Sequence, residues 1–171
     1  LAESWNVAGD KLVVSLRRGV KFSNGESMTA DDVKFTIESY FDDRFQGQIW
    51  RGMWANVSRT EIKDAHTVIF HFKEISFESV KLVLTTLRIL SKKAYAASEK
   101  SWRSQNILGT GPFKLKRCQT NRSVDFEPNP YWWGTGKPEH LVKIKSVADY
   151  KLAEMMVKKG ELDFYEVSAS V

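Results

Sequence analysis

An alternating strand, a glycine turn and a capped helix follow one another near the start of the chain, and together they constrain the fold more than any other stretch. Leu12, Val14 and Leu16 alternate with polar residues, which is the period of a strand with one buried face. Asn24 and Gly25 then supply two residue types that readily take positive φ, so the chain is predicted to reverse there. The strand is therefore expected to lie in a sheet that has one solvated side.

The helix after this turn is marked by its first residues. Thr29 is followed three residues later by Asp32, which is the spacing of a capping box with aspartate in place of the commoner glutamate. Val33, Ile37 and Tyr40 then recur on one helical face. The sequence therefore predicts an amphipathic helix that packs on the sheet.

Further elements are predicted from the same kinds of pattern. The first ten residues are expected to form an edge segment anchored by Trp5. The later predictions are a β-hairpin over residues 57–72, a helix over 76–87, strands over 112–117, 123–126 and 141–147, a helix over 149–159 and a strand over 162–167. The order strand, helix, strand at the end is typical of a parallel crossover unit, so this part of the chain is predicted to be α/β.

Four parts of the sequence resemble, in the same order and with similar spacing, the motifs of family 5 extracellular solute-binding proteins. These proteins are the oligopeptide- and dipeptide-binding components of ABC importers. The matching parts are LAESW at residues 1–5 with LRRGVKF, NG and TADDV between residues 16 and 33, GTGPFKL at 109–115, EPNPYWWG at 127–134, and GELD at 160–163. The resemblance covers essentially the whole chain.

The resemblance implies a fold and a division into lobes. The expected class is α/β, similar to periplasmic binding proteins of class II, with a small mixed α+β lobe over residues 1–106 and part of a larger α/β lobe over residues 107–171. Full-length members of the family are much longer. The N-terminal strand and the whole C-terminal lobe of such proteins are expected to be missing from these 171 residues.

The resemblance also implies a function and partners. A peptide or similar solute is captured noncovalently between lobes and delivered to an ABC permease in the membrane. Such proteins are periplasmic or extracellular, and a lipoprotein anchor is one form that they take. The charged ends of the ligand are held mostly by the C-terminal lobe, so this stretch by itself is expected to bind peptides poorly.

Five residues are candidates for functional roles. Phe45, Trp50 and Trp54 lie on a stretch beyond the first helix that resembles the loop reaching toward ligand in the family. Aromatic residues on a loop are more commonly plugs in the local core than parts of a binding site. Gly109 and Gly111 precede a strand at the predicted lobe boundary and resemble hinge residues, although a tight turn would need the same glycines.

The sequence contains no recognisable pattern of catalytic or metal-binding residues. His66, His71 and His140 lack the spacing of metal ligands, and the single cysteine, Cys118, has no intramolecular partner for a disulfide. The net charge of +5 comes from scattered residues rather than a stripe, so nucleic acid is not the expected partner. We expect a binding protein without a cofactor rather than an enzyme. A non-transport interaction or regulatory module on the same fold is the alternative.

Overall fold

The computed structural model describes residues 1–43, 48–96, 98 and 106–165. Its elements in chain order are β1 (Ala2–Ala8), β2 (Lys11–Leu16), α1 (Ala30–Phe41), α2 (Gln48–Trp54), β3 (Val57–Asp64), β4 (Thr67–Phe72), α3 (Phe77–Thr86), α4 (Lys92–Tyr95), β5 (Phe113–Gln119), β6 (Ser123–Pro128), β7 (Val142–Lys145) and α5 (Tyr150–Lys158). Within this part of the chain, no helix has the length and apolar character needed to cross a bilayer.

The chain divides into two compact units. Unit 1 comprises Leu1–Lys114 and Pro128–Glu139, and unit 2 comprises Leu115–Glu127 and His140–Val171. The contacts of this chain therefore group residues 107–114 and 128–139 with the N-terminal elements. The lobe boundary near residue 106 concerns a longer protein and stays a prediction.

Unit 1 is built on a four-stranded antiparallel sheet in the order β1-β2-β4-β3. Leu12 lies opposite Phe70 and Val14 opposite Val68 in this sheet, and all four side chains are buried. This register places the apolar alternation of β2 and β4 on one face, where it packs with α1 in a single core. The predicted strand, hairpin and amphipathic helix are thereby confirmed.

The edge strand β1 differs from its prediction in one respect. Trp5 pairs with Val14 and so projects from the same sheet face as the core. It is nevertheless 54% exposed, as the core does not extend over β1 in the described residues. The prediction that Trp5 anchors this segment is therefore wrong for this structure.

Unit 2 contains a three-stranded sheet in the order β5-β6-β7, in which β6 and β7 are antiparallel. The predicted final helix is α5, and Asp149 caps it by accepting a hydrogen bond from Leu152 N at 2.8 Å. Gly160 follows the helix with φ +72°, as expected for its C′ residue. Residues 162–165 do not form the predicted strand, and the rest of that prediction lies outside the described residues. The parallel crossover is consequently absent from the described part of unit 2.

An ion pair between Glu26 and the start of α4 predicts a dependence of stability on pH. Glu26 Oε1 lies 3.0 Å from Lys93 Nζ, and Ser91 donates to Glu26 Oε2 at 3.1 Å. Hydrogen bonds from Lys93 and then Asn24 are the main reasons why the pKa of Glu26 lies below its ordinary value of 4.5. A depressed carboxyl pKa means that folding favours the charged form, so this stability is complete above pH 4.5 and is lost as the pH falls through the folded pKa.

We therefore expect acid to destabilise the wild-type chain more than the Glu26→Gln variant. Between pH 7 and pH 3 the wild type should lose more free energy of unfolding than the variant does. This extra loss should be less than about 1 kcal/mol, because the ion pair is partly solvated. Urea titrations at both pH values measure it. Equal acid sensitivity of the two chains would show that Glu26 contributes nothing.

Candidate functional site

Three aromatic rings meet where α1 and α2 adjoin. The ring of Tyr40, near the end of α1, stacks on Trp54 with centroids 5.7 Å apart and an interplanar angle of 10°. Trp50, one helical turn before Trp54, lies 6.4 Å from the same tyrosine ring. Two of the predicted residues, Trp50 and Trp54, thus both contact the ring of Tyr40. Tyr40 was not a predicted site residue, because the sequence placed it only on the apolar face of α1.

Arg51 fixes α2 against the end of α1. Its Nε donates to Tyr40 O at 3.1 Å, and its Nη2 donates to Phe41 O at 3.0 Å. The same Nη2 forms an ion pair with Asp43. The last carbonyls of a helix lack partners within the helix and carry partial negative charge, so a guanidinium there both satisfies and stabilises them. No pattern in the sequence pointed to this role of Arg51.

Three large apolar side chains at this junction are exposed, those of Phe41, Trp50 and Met53, and we term them together the junction surface. Trp50 is 40% exposed. The nearby phenol of Tyr40 has a pKa above its ordinary value because burial disfavours the charged form, which outweighs a backbone hydrogen bond from Arg88. Tyr40 is therefore uncharged at neutral pH, and the surface suits the apolar parts of a solute.

The three predicted aromatic residues have different positions. Phe45 lies outside the described residues. Trp50 presents its ring at the junction surface, whereas Trp54 is completely buried in the core of unit 1. A fully buried ring has no surface to offer a solute. Trp54 is therefore a plug in the local core, which was the alternative role for these aromatic residues. The binding role of Trp50 stays a prediction.

The glycine segment 109–112 is held along its whole backbone. Each of its four carbonyl oxygens accepts a hydrogen bond, from Ser23 N to Gly109 O at 2.9 Å, Trp133 Nε1 to Thr110 O at 3.0 Å, Asn129 Nδ2 to Gly111 O at 2.7 Å and Asn129 N to Pro112 O at 2.8 Å. The side chain of Asn129 is buried, and its oxygen also accepts from Tyr131 N at 3.0 Å. These hydrogen bonds fix the carbonyl groups of the segment to other parts of unit 1.

The two glycines of that segment are not required by the local conformation. Neither Gly109 nor Gly111 has a positive φ. A Cβ atom at Gly109 would meet nothing closer than 4.0 Å, and one at Gly111 would meet nothing within 4 Å. Their hinge role is not tested by these distances and stays a prediction.

The aromatic residues that follow β6 pack on the Asn24-Gly25 turn and on residues just before it. Gly25, with φ +89°, leaves only 3.0 Å between an added Cβ and the ring of Tyr131. Lys21 lies 5.7 Å from the centre of that ring, and Arg17 lies 5.1 Å from the centre of Trp133. Three of the four sequence segments that carry the family resemblance thus meet in unit 1.

Metal chemistry has no obvious place in the part of the chain that the structure describes. No group of three or more histidine, cysteine or acidic side chains is arranged there to hold an ion. Cys118 is exposed on β5.

Comparison with known proteins matches the entire chain to one family. The sequence model of the bacterial extracellular solute-binding proteins, family 5, middle region, covers residues 1–171. Di/tripeptide-binding protein 1 of Pseudomonas aeruginosa is 29% identical over 94% of this chain and 34% of its own length. The chain therefore spans about a third of the length of this curated relative.

Two solved structures extend the comparison to three dimensions. The ABC transporter substrate-binding protein CtaP of Listeria monocytogenes has a TM-score of 0.80 and 27% identity over 95% of this chain and 34% of its own. MoaA of Agrobacterium tumefaciens R10, solved with mannopinic acid, has a TM-score of 0.83 and 27% identity over the same shares. The α/β fold of this chain is accordingly about one third of each of these larger proteins.

Proposed function

Because the chain belongs to the bacterial extracellular solute-binding proteins of family 5, we propose that it is one part of a longer receptor that captures a small peptide and delivers it to an ABC permease. The observation that carries this proposal is that the model of that family matches the chain over residues 1–171. A receptor of this kind binds its solute noncovalently and performs no catalysis. The solute stabilises the closed arrangement of the lobes only to the extent that it binds this arrangement more tightly than the open one.

Peptide is the solute class that we favour. The relative in Pseudomonas aeruginosa is named for di- and tripeptides, whereas MoaA was solved with mannopinic acid. The junction surface is apolar, and the nearby phenol of Tyr40 is uncharged at neutral pH. The junction surface therefore suits the apolar side chains of a peptide. The charged ends of the peptide would be held by parts of the protein beyond this chain.

The proposal includes a place and a mode of closure. The receptor would act in the periplasm or at the cell surface, with a lipid anchor in the second case. The lobe boundary lies near residue 106, and Gly109 and Gly111 act as its hinge. The support for the hinge is that neither φ nor space demands a glycine at these two positions; the carbonyl groups of both glycines accept hydrogen bonds within unit 1, so bending there would have to preserve or break those bonds.

A tryptophan exchange tests the junction surface. In the longest natural polypeptide that contains this sequence, Trp50→Ala should weaken the affinity for a bound peptide by about tenfold or more, because tryptophan is enriched among the few interface residues whose truncation costs about 2 kcal/mol or more. Isothermal titration calorimetry against a set of di-, tri- and longer peptides measures the dissociation constants.

Trp5→Ala is the matched control for this experiment. Trp5 is also a largely exposed tryptophan, but it lies on the edge strand β1 rather than at the junction. We expect its affinity to stay within about twofold of wild type, since residues outside a binding interface rarely affect it. Equal losses in both variants would remove the junction surface from the site, and the absence of binding to any peptide would overturn the proposed solute.

A further inference from the structure

Three basic residues follow β2, and two of them lie over aromatic rings. Arg17 lies 5.1 Å from the centre of the Trp133 ring, and Lys21 lies 5.7 Å from the centre of the Tyr131 ring. Arg18 stands between the two in the chain, and all three basic residues are exposed. Both rings belong to the segment after β6, which is part of unit 1. We term the three basic residues and the two rings the cationic corner.

The rings of the cationic corner are held in place by hydrogen bonds and close packing. Trp133 Nε1 donates to Thr110 O at 3.0 Å. Tyr131 N donates to the side-chain oxygen of Asn129 at 3.0 Å, and the Tyr131 ring would lie 3.0 Å from a Cβ atom at Gly25. A cation that lies over a fixed ring has fewer positions to adopt in the free protein. It therefore loses less conformational entropy when it contacts a partner.

The positive charge of the cationic corner is not neutralised by the described residues. None of Arg17, Arg18 and Lys21 forms an ion pair or a side-chain hydrogen bond with them. Glu26 is the acidic residue nearest to Lys21 in the sequence, and it pairs with Lys93 at 3.0 Å instead. The corner therefore presents three positive charges to whatever it contacts.

Anionic phospholipid headgroups match this combination of groups. The planar guanidinium of arginine can donate two parallel hydrogen bonds to one phosphate group. Tyrosine and tryptophan combine an apolar ring with one polar group, which suits the boundary between headgroups and acyl chains. Tyr131 is 41% exposed, so its ring is accessible for such a contact. An anionic membrane surface also attracts arginine and lysine side chains that lie within a Debye length of it.

We propose that the cationic corner binds the negatively charged surface of a phospholipid membrane. The contact is weak and reversible, because a few basic residues without an acyl chain give only modest adsorption. It keeps the receptor near the membrane that holds its permease. The inference rests on the proposed place of the receptor beside a membrane and is independent of the solute.

Binding to lipid vesicles tests the inference. The longest natural polypeptide that contains this sequence, in a form without a lipid anchor, is sedimented with vesicles in the absence of peptide. The vesicles contain phosphatidylcholine alone or phosphatidylcholine mixed with phosphatidylglycerol. The test variant combines Arg17→Gln with Lys21→Gln, and circular dichroism checks that each variant is folded.

The matched control combines Lys73→Gln with Lys81→Gln. These substitutions remove the same charge from two exposed lysines of unit 1, one directly after β4 and one on α3. Neither lysine lies over an aromatic ring or forms an ion pair within the described part of the chain. Arg17→Lys is a second control, because it keeps the charge at the corner.

The wild-type protein is expected to bind the vesicles that contain phosphatidylglycerol, and to bind them less as salt is added, because salt screens the charges. The Arg17 and Lys21 variant should lower the partition coefficient by about tenfold or more, since each basic residue near an anionic surface contributes about fivefold. The Lys73 and Lys81 control and Arg17→Lys should both stay within about twofold of wild type, because charges beyond a Debye length are screened.

Three outcomes would overturn the inference. Equal binding to both kinds of vesicle, or binding to neither, would show that anionic headgroups are not recognised. Equal losses in the two double variants would assign the effect to net charge rather than to the cationic corner. Binding only to vesicles that also contain the ABC permease would assign the corner to a protein partner. Peptide affinity is measured separately, so a protein that binds anionic vesicles but no peptide would contradict the proposed function and leave this inference standing.

Discussion

Replacing Trp54 with alanine is expected to lower the free energy of unfolding by about 3–5 kcal/mol, the usual cost of deleting a buried aromatic side chain. Trp54 is 0% exposed and is the largest fully buried side chain of the described residues. It joins α2 to α1 through its stack on Tyr40. Urea unfolding of the 171-residue chain, followed by circular dichroism, measures the loss.

Trp50→Ala is the matched control, since it removes the same ring from the same helix. We expect it to cost about 1 kcal/mol or less, because a ring that is 40% exposed loses less burial on truncation. Trp54→Phe should cost less than Trp54→Ala. It keeps a ring against Tyr40 and removes an indole N–H that has no hydrogen-bond partner within the described chain. Equal losses for Trp50→Ala and Trp54→Ala would show that Trp54 is not a core residue.

These two tryptophans show where the sequence pattern stops being informative. They stand four residues apart, so on a helix they lie on neighbouring turns of one face. Pattern alone therefore treats them alike, and both were predicted to contact solute. Their difference comes from Tyr40 and the core beneath it, which bury one ring and leave the other at the rim. Burial of a side chain depends on what covers it, and that information is not local.

Local signals did predict most of unit 1. The alternation in β2 and β4, the capping residues of α1 and α3 and the Asn24-Gly25 turn each specify a conformation through neighbouring residues. In unit 2 the same reasoning found β6, β7 and α5 but predicted a parallel crossover that the described residues do not form. A crossover depends on pairing between distant strands, which no local pattern reports.

The resemblance segments illustrate the same limit. The order and spacing of these segments identified the family. No pattern in the sequence, however, indicated that the segments are in contact. Asn129 and Trp133 bind the carbonyls of residues 110–112, and Ser23 binds Gly109 from much earlier in the chain. A buried asparagine that bonds the backbone of two separate segments has no signature in the sequence except its place beside a proline and an aromatic run. The structure thus gives a physical reason for keeping these motifs together.

Asp32→Ala is the other substitution with a large expected effect. Its carboxylate is buried, and it accepts hydrogen bonds from Thr29 N and Lys92 N, both at 2.8 Å. One side chain thus closes the capping box of α1 and also holds the first residue of α4. Truncation leaves two amide groups without partners, so we expect a loss of about 3 kcal/mol in the free energy of unfolding, given 1.5–3 kcal/mol for each hydrogen bond to a charged group and partial rescue by water.

Asp31 provides a control one residue away. It is 54% exposed and pairs with Lys92 Nζ at 2.8 Å. Asp31→Ala removes an equal charge from the same helix end, but a surface ion pair contributes only about 0.5 kcal/mol. Asp32→Asn should lie between the two, because an amide keeps one acceptor oxygen and loses the other. If Asp31→Ala and Asp32→Ala destabilised the chain equally, the effect would come from the helix dipole, and the link from Asp32 to Lys92 N would contribute nothing.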